Sequence, residues 1–368
     1  MGPEKIPPGL SLLCGCLSPR RDAPLPEISP GAWEVSAVIA NLSLLAPAFR
    51  AGLREKGLCG KVPPQLLELL DALHSYNKRR NEKLLAQLNG VTAALNEAGV
   101  TPMLFKGSAA LAQELYPDPA ARFMWDLDLL VPEKDLYPSV KVLENLGYRT
   151  VEGAVFGARH HYPKLFHPQG EAGIELHRAP VPRVFAKLLP TEELWRLAEP
   201  VKGGSALAMH PGHQLVHCFV HSELSHENHW YRRLDLRQMQ HFLLILEKRE
   251  KDIDWGAVEN LLKSDEYGPV LNDYLYAAEI LFGATFPLGT KRTGRAGKHL
   301  ERAIANLTEN PETLAYKSRL LLLRLGKAFT EESLRRKYPE ENGSLSALRV
   351  RELARLLLKY GTGRGKFN

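Results

Sequence analysis

The segment from residue 101 to residue 131, TPMLFKGSAALAQELYPDPAARFMWDLDLLV, constrains this chain more than any other. Side chains alternate faces along a strand, so in WDLDLLV Asp126, Asp128 and Leu130 point one way and Leu127, Leu129 and Val131 the other. One face is core. The other holds two carboxylates roughly 7 Å apart, whose repulsion and partial burial require a cation between them. Mg²⁺ suits that position, because it prefers carboxylate oxygens plus substrate phosphates to an all-protein cage. Upstream, an apolar strand ends in Gly107-Ser108. Glycine lets a ligand approach the backbone, and a serine opening a helix offers a cap hydroxyl and free N–H groups suited to phosphate. An Asp-x-Asp pair alone is common at solvated strand edges. The order strand, Gly-Ser, helix, strand, Asp-x-Asp is far more specific.

A third carboxylate lies in AGIELHRAP, where Glu175 faces opposite to Ile174 and Leu176 on a short strand. That is the placement expected of a neighbouring strand adding its acid to one metal cluster. The stretch LFKGSAALAQELYPDPAARFMWDLDLLVP followed by GIELHR resembles the polymerase-beta-like nucleotidyltransferase superfamily. Within it, the chain is similar to bacterial nucleotidyltransferases whose pattern reads KG, helix, Y, R, DxDLLV and then a strand with ExH. The resemblance implies an enzyme with two Mg²⁺ ions and an NTP co-substrate, transferring a nucleoside monophosphate to an acceptor hydroxyl. It makes Gly107 and Ser108 phosphate contacts, Asp126 and Asp128 ligands of both ions, and Glu175 the third acid, near the attacking hydroxyl. The gap between Ser108 and Asp126 is longer than the superfamily's usual one, so the loop through Pro117 and Pro119 reads as an insertion.

Two basic residues flank this core. Lys106 can pair structurally with a carboxylate or reach phosphate. Arg122 can present a bidentate fork to a phosphate or to a catalytic carboxylate, and its match to the family pattern favours function. With Gly107 and Ser108 these are the nucleotide-binding candidates. His177 shares the face of Glu175 and can orient that acid, contact the base, or serve as a satisfied structural histidine. His213, His217 and His221 recur at i, i+4 and i+8, with His226 and His229 beyond. That spacing raises zinc, but no Cys, Asp or Glu stands at an obvious ligand offset, so packing, cleft-lining or hydrogen-bonded histidines are favoured. Asp235, in RRLDLRQ, reads as a structural ion-pair partner.

The remaining pattern points to an α+β fold. A small mixed-sheet nucleotidyltransferase core at residues 100–182 is flanked by an N-terminal helical region, 1–99, and a C-terminal one, 183–368. Strands are expected at 101–106, 125–131, 148–152, 160–167 and 173–178, and helices at 108–115 and 133–146. A long helix runs from Pro64 to a stop at Gly99. Residues 1–30, rich in Pro and Arg, are expected to extend over the surface, with LSLLCGCL as an amphipathic first turn too short for a membrane span or signal. Four scattered cysteines make no disulfide framework, which leaves the cytoplasm as the default compartment. Gly297-Lys298 and Gly365-Lys366 lack the flanking residues of a P-loop.

The C-terminal helices are expected to form the far wall of the cleft and to choose the acceptor. Residues 286–368 carry 18 Lys and Arg against 8 Asp and Glu, within an overall charge of +6. Such a region can steer a polyanion such as tRNA, although leucine-interleaved runs such as RLLLLRLGK favour a solvated helical surface. A small molecule, peptide, protein or tRNA acceptor, a toxin-type modification of tRNA or protein, and a non-catalytic nucleotide-binding scaffold all remain open.

Overall fold

The computed structural model describes residues 5–151, 160–263, 265–287, 293–308, 326–338 and 344–361. Four helices precede the sheet: α1 (Pro8–Leu17), α2 (Pro30–Leu42), α3 (Ala46–Glu55) and α4 (Pro64–Glu97). Each carries proline in its first turn, where a missing N–H leaves no intrahelical bond unmade. The middle of the chain holds β1 (Met103–Leu104), α5 (Lys106–Ala112), β2 (Asp126–Leu130), α6 (Leu136–Asn145), β3 (Arg149–Thr150), β4 (Leu165–Phe166) and β5 (Gly173–His177). Then follow α7 (Thr191–Arg196), β6 (Glu199–Pro200), β7 (Leu207–Ala208) and α8 (Pro211–Phe219). After them come α9 (Asn228–Tyr231), α10 (Leu236–Arg249), α11 (Trp255–Leu262), α12 (Gly268–Phe282), α13 (Gly294–Thr308), α14 (Glu331–Lys337) and α15 (Leu345–Gly361).

The seven strands form one mixed sheet in the order β3-β4-β5-β2-β1-β7-β6. β2 runs antiparallel to β1 and parallel to β5. The architecture is α+β, as the pattern implied. Several strands are shorter than expected. β1 keeps two residues because the chain swings out of the strand at Lys106, whose φ is +53°. The helix expected at 133–146 splits into a 3₁₀ turn, Glu133–Asp135, and α6. Residue 152, the expected end of the strand at β3, lies outside the described residues, as do 288–292, 309–325, 339–343 and 362–368 of the basic region, the Gly365-Lys366 pair among them.

Two hydrophobic clusters organise the packing. The first joins Leu84, Leu88, Val91 and Leu95 of α4 to Leu127 and Leu129 of β2, Ile174 and Leu176 of β5, and Val140 and Leu143 of α6. Leu127, Leu129 and Val131 are fully buried, so the alternation in WDLDLLV separates core from site as the period-2 reading required. The second cluster gathers α1, α2 and α3 with α8, α10, α12 and α13, so helices from the two ends of the chain share one core.

α1 corrects the expectation that residues 1–30 lie extended on the surface. Leu10, Leu12, Leu13 and Cys14 are fully buried, and the helix packs against α2, α3 and α12. A helix that is apolar all round can only be satisfied by burial on all sides. Close approach depends on Gly52 of α3, where an added Cβ would lie 2.1 Å from the carbonyl oxygen of Cys16. Among the described residues no helix is long and apolar enough to cross a membrane. G52A is expected to destabilise the protein by about 1–3 kcal/mol through forced separation of α1 and α3, read as a lowered urea midpoint relative to a surface control such as G60A, whose added Cβ would meet nothing within 4 Å.

Candidate functional site

The site is built on the pairing of two strands. Parallel register sets Asp128 opposite Glu175 and Asp126 opposite Gly173, so Asp126, Asp128, Glu175 and His177 share one sheet face. Three carboxylates on adjacent strands repel unless positive charge reaches them. Two lysines do so. Lys106 Nζ donates to Asp128 Oδ1 at 2.7 Å, and Lys164 Nζ lies 2.8 Å from Asp126 Oδ2 and 3.1 Å from Glu175 Oε1. Gly173 makes the second contact possible: a Cβ there would fall 2.6 Å from Cγ and Cδ of Lys164. His177, fully buried, places Nε2 3.0 Å from Asp128 Oδ1 and 3.5 Å from Glu175 Oε2.

These contacts separate the three acids electrostatically. Burial opposes ionisation of Asp128, but Lys106 and the His177 hydrogen bond outweigh it and hold the carboxyl well below the usual range. Glu175 behaves alike: burial raises it, the hydrogen bond to His177 lowers it further, and it settles at about 2. Asp126 moves the other way, raised by burial and by the charge of Asp128. Lys106 stays charged because Asp128 overcomes its desolvation. Its left-handed backbone costs a non-glycine residue roughly 1 kcal/mol or more, a strain at the junction of β1 and α5 that the ion pair to Asp128 helps to hold.

Burial of the acids goes further than the partial burial expected: Asp128 is only 2% exposed. They lie at the floor of a cavity of about 410 Å³. Lys106, Gly107 and Arg122 line it, together with Asp126, Asp128, Glu175 and His177. Ser108 does not. It is fully buried, and its Oγ accepts a hydrogen bond from the backbone N–H of Asp128 at 2.8 Å, tying α5 to β2.

The loop that reads as an insertion carries Arg122 to the cavity, and α4 holds it there. Asn77 Nδ2 donates to the carbonyls of Ala120 and Arg122, Asn81 Nδ2 to those of Pro119 and Arg122, and Arg80 Nη1 to that of Met124. Asp118 is anchored by His74 and Arg54 at 2.8 and 2.6 Å. Arg122 Nη1 reaches the carbonyl of Arg237 at 3.4 Å, and its Nε is buried without a partner.

The far wall comes from the C-terminal helices. α8 runs into a π-helical turn, Val220–Ser225, which directs His221 and Ser225 at the cavity; such turns recur where a helix must re-aim side chains at a site. His217 contacts the carbonyl of Pro180 at 3.3 Å and His221 the amide of Gln238 at 3.4 Å. On the histidine face His217 is hydrogen-bonded, His221 is hydrogen-bonded and lines the cleft, and His213 is buried with Nδ1 unpartnered; the ligand atoms of the three do not converge. Asp235, expected to be an ion-pair partner, instead caps α10 by accepting from Gln238 N at 3.0 Å.

Among the residues in or beside the cavity that were not singled out from the sequence, five bear on its chemistry. Arg237 lies beside Arg122, with its own Nε buried and unpartnered. His160 and His161 stand 5.6 and 5.1 Å from the His177 ring, and burial followed by the charge of His177 pushes His160 down to about 3. Trp125 is 61% exposed at the rim, edge-on to Phe123. Lys164 closes the charge balance. The available signals were the HHYPK run opposite the acids and an arginine in the first turn after the Asp235 cap.

Carboxylates from adjacent strands thus form the floor of a two-walled cleft in an α+β fold. The family described as uncharacterised nucleotidyltransferase matches residues 29–283, and the chain belongs to that family. No curated protein and no solved structure gives a match. Nucleotidyl transfer is the general activity that this membership supports.

The π-helical turn also buries an acid. Glu223 accepts a hydrogen bond from Ser222 Oγ at 2.7 Å, and burial pushes its carboxyl from 4.5 up to about 8. Between those values the unfolded chain releases this proton before the folded one does, so the Glu223 contribution to stability is full below pH 4.5 and is lost as pH rises towards 8. E223Q is expected to remove that slope. In urea titrations the variant should match or trail the parent near pH 5 and exceed it above pH 8.

Proposed function

We propose that the cavity binds a magnesium-complexed nucleoside triphosphate and transfers its nucleoside monophosphate to an acceptor hydroxyl. One observation carries the reading: three carboxylates form the floor, while Arg122 and Arg237 face the same space with buried, unpartnered Nε atoms. A ligand that is cationic at one end and polyanionic at the other satisfies both. The donor set fits the metal, because Asp128, Glu175 and His177 offer ligand atoms within 4.8 Å of one another and Asp126 lies beside them. Asp126, Asp128 and Glu175 would hold the magnesium ions. Bound there, magnesium would supply charge neutralisation at the phosphates and a lowered pKa for the acceptor hydroxyl.

The side chains then divide the work. Arg122 and Arg237 hold the β- and γ-phosphates, charge-assisted contacts that strengthen as negative charge builds on the leaving group. Lys106, tethered to Asp128, lies within reach of the phosphates, and Gly107 lets the ligand approach the backbone. Ser108 acts through β2, by fixing the backbone of Asp128. His177 orients Asp128 and Glu175. Trp125 offers an aromatic face to the nucleobase. The acceptor oxygen bonds to the α-phosphorus, the bond to the bridging oxygen of the β-phosphate breaks, pyrophosphate leaves, and the hydroxyl proton passes to a carboxylate oxygen of the floor.

The test is incubation with each α-labelled NTP and Mg²⁺ in host lysate. Label is expected in an acceptor with the parent and not with D126N, whose activity should fall about 10³-fold or more at unchanged secondary structure. D128N should lose transfer as well, and also about 3 kcal/mol of stability, because the buried Lys106 ammonium loses its partner. Binding of Mg·NTP with no label transferred to RNA, protein or small molecules would reduce the protein to a nucleotide-binding scaffold. R237M is expected to raise the KM for NTP about 10-fold or more with a smaller change in kcat; an unchanged KM would remove Arg237 from the phosphate site.

A further inference from the structure

A second convergence of ligating groups lies outside the cleft, where α9, α12 and α13 meet. His229 of α9, Asp273 of α12 and His299 of α13 bring one ligand atom each within 4.8 Å of the others. The two imidazoles stack with centroids 4.3 Å apart and planes 12° from parallel, so one ring must turn about its Cβ–Cγ bond for both in-plane lone pairs to meet one ion. Asp273 is 3% exposed; its Oδ1 accepts from Arg295 Nη2 at 2.9 Å, while its Oδ2 is buried with no hydrogen-bond partner. An unmet carboxylate oxygen in a buried site costs about 1–3 kcal/mol or more, and here two imidazoles stand beside it.

We propose that His229, Asp273 and His299 bind a divalent transition-metal ion, zinc foremost, that ties α9 and α13 to α12. Two imidazole nitrogens and one carboxylate oxygen are a zinc donor set, with the fourth position left for water. Magnesium and calcium want oxygen donors and fit this mixture poorly. Arg295 on Oδ1 plays the orienting part that outer groups play for metal-bound carboxylates.

The backbone around His229 is arranged for the same end. α9 has four residues and is bracketed by Glu227 and Arg232, both left-handed at φ +57° and +50°. Such a turn is weak alone. Asn306 Nδ2 of α13 donates to the carbonyls of Tyr231 and Arg232, which sets α13 against the end of α9 and His299 against His229. A metal there would fix the segment immediately after His226, a residue of the cleft wall.

The full-length protein, stripped with EDTA, is titrated with Zn²⁺ against a chromogenic indicator, alongside E175Q, which disables the convergent group in the cleft. One equivalent of zinc is expected to persist in E175Q, and its affinity to fall more than about 10-fold in H229Q and in H299Q. Zinc should raise the melting temperature of E175Q but not of E175Q/H299Q. Should the histidine variants fail to fold, Co²⁺ added to E175Q reads the site directly: visible d–d bands of a four-coordinate ion with nitrogen ligands are expected, bleached by added zinc. E175Q that takes up no zinc equivalent, histidine variants that bind as tightly as E175Q, or Co²⁺ spectra of the hydrated ion would each overturn the proposal.

Discussion

The concentration of Asp126, Asp128 and Glu175 on one face of β2 and β5 is the constraint to which the rest of the structure answers. Carboxylates so close cannot all ionise in a dry cleft without cations. The protein supplies two ammonium groups, and much local architecture exists to deliver them. Lys106 accepts a left-handed backbone to face Asp128. Lys164 spans to both Asp126 and Glu175 because residue 173 has no side chain. His177 is buried where it can bridge Asp128 and Glu175. Lys106 and His177 hold Asp128 and Glu175 below their usual range, whereas Asp126 is raised by burial and by the charge of Asp128.

Across the cavity the balance is reversed. Arg122 and Arg237 sit side by side, and burial followed by the charge of Arg122 lowers the pKa of Arg237. Two like charges are held there by the backbone they contact: Arg122 on the loop clamped by α4, Arg237 in the first turn of a helix capped by Asp235. The cleft is thus a dipole built from two separately braced walls. α4 matters to both, since its C-terminal half packs under the sheet and its polar stripe fixes the arginine loop.

How much of this could be read from residues alone follows from the range of the interactions. The period-2 alternation of WDLDLLV separates Leu127 and Leu129 from Asp126 and Asp128 with no tertiary information, and IELH does the same for Glu175. The stripe Asn77, Arg80, Asn81 was legible only as part of a helix, because nothing local says that its partners are carbonyls some forty residues away. Lys164 and Arg237 depend on strand register and on the docking of α10. Ser108 shows the limit of motif reading: the hydroxyl is used, but by the backbone of β2 rather than from the cavity wall. α1 escaped for a different reason, since a short apolar segment flanked by prolines and arginines reads alike whether it lies on a surface or inside a core.

The seating of α1 has a consequence in time. Its closing contacts are with the far end of α12, where Ser18 Oγ donates to the carbonyl of Phe282 at 2.8 Å. During synthesis the ten residues of α1 must wait while more than two hundred others are made before α12 is complete. The carboxylate strands can pair in that interval, whereas α10, which carries Arg237, and α12, the seat for α1, are made later. Long-range closure of this kind is slow and keeps an apolar helix exposed meanwhile. Until α12 emerges, residues 8–17 lack part of the seat that buries them in the folded protein.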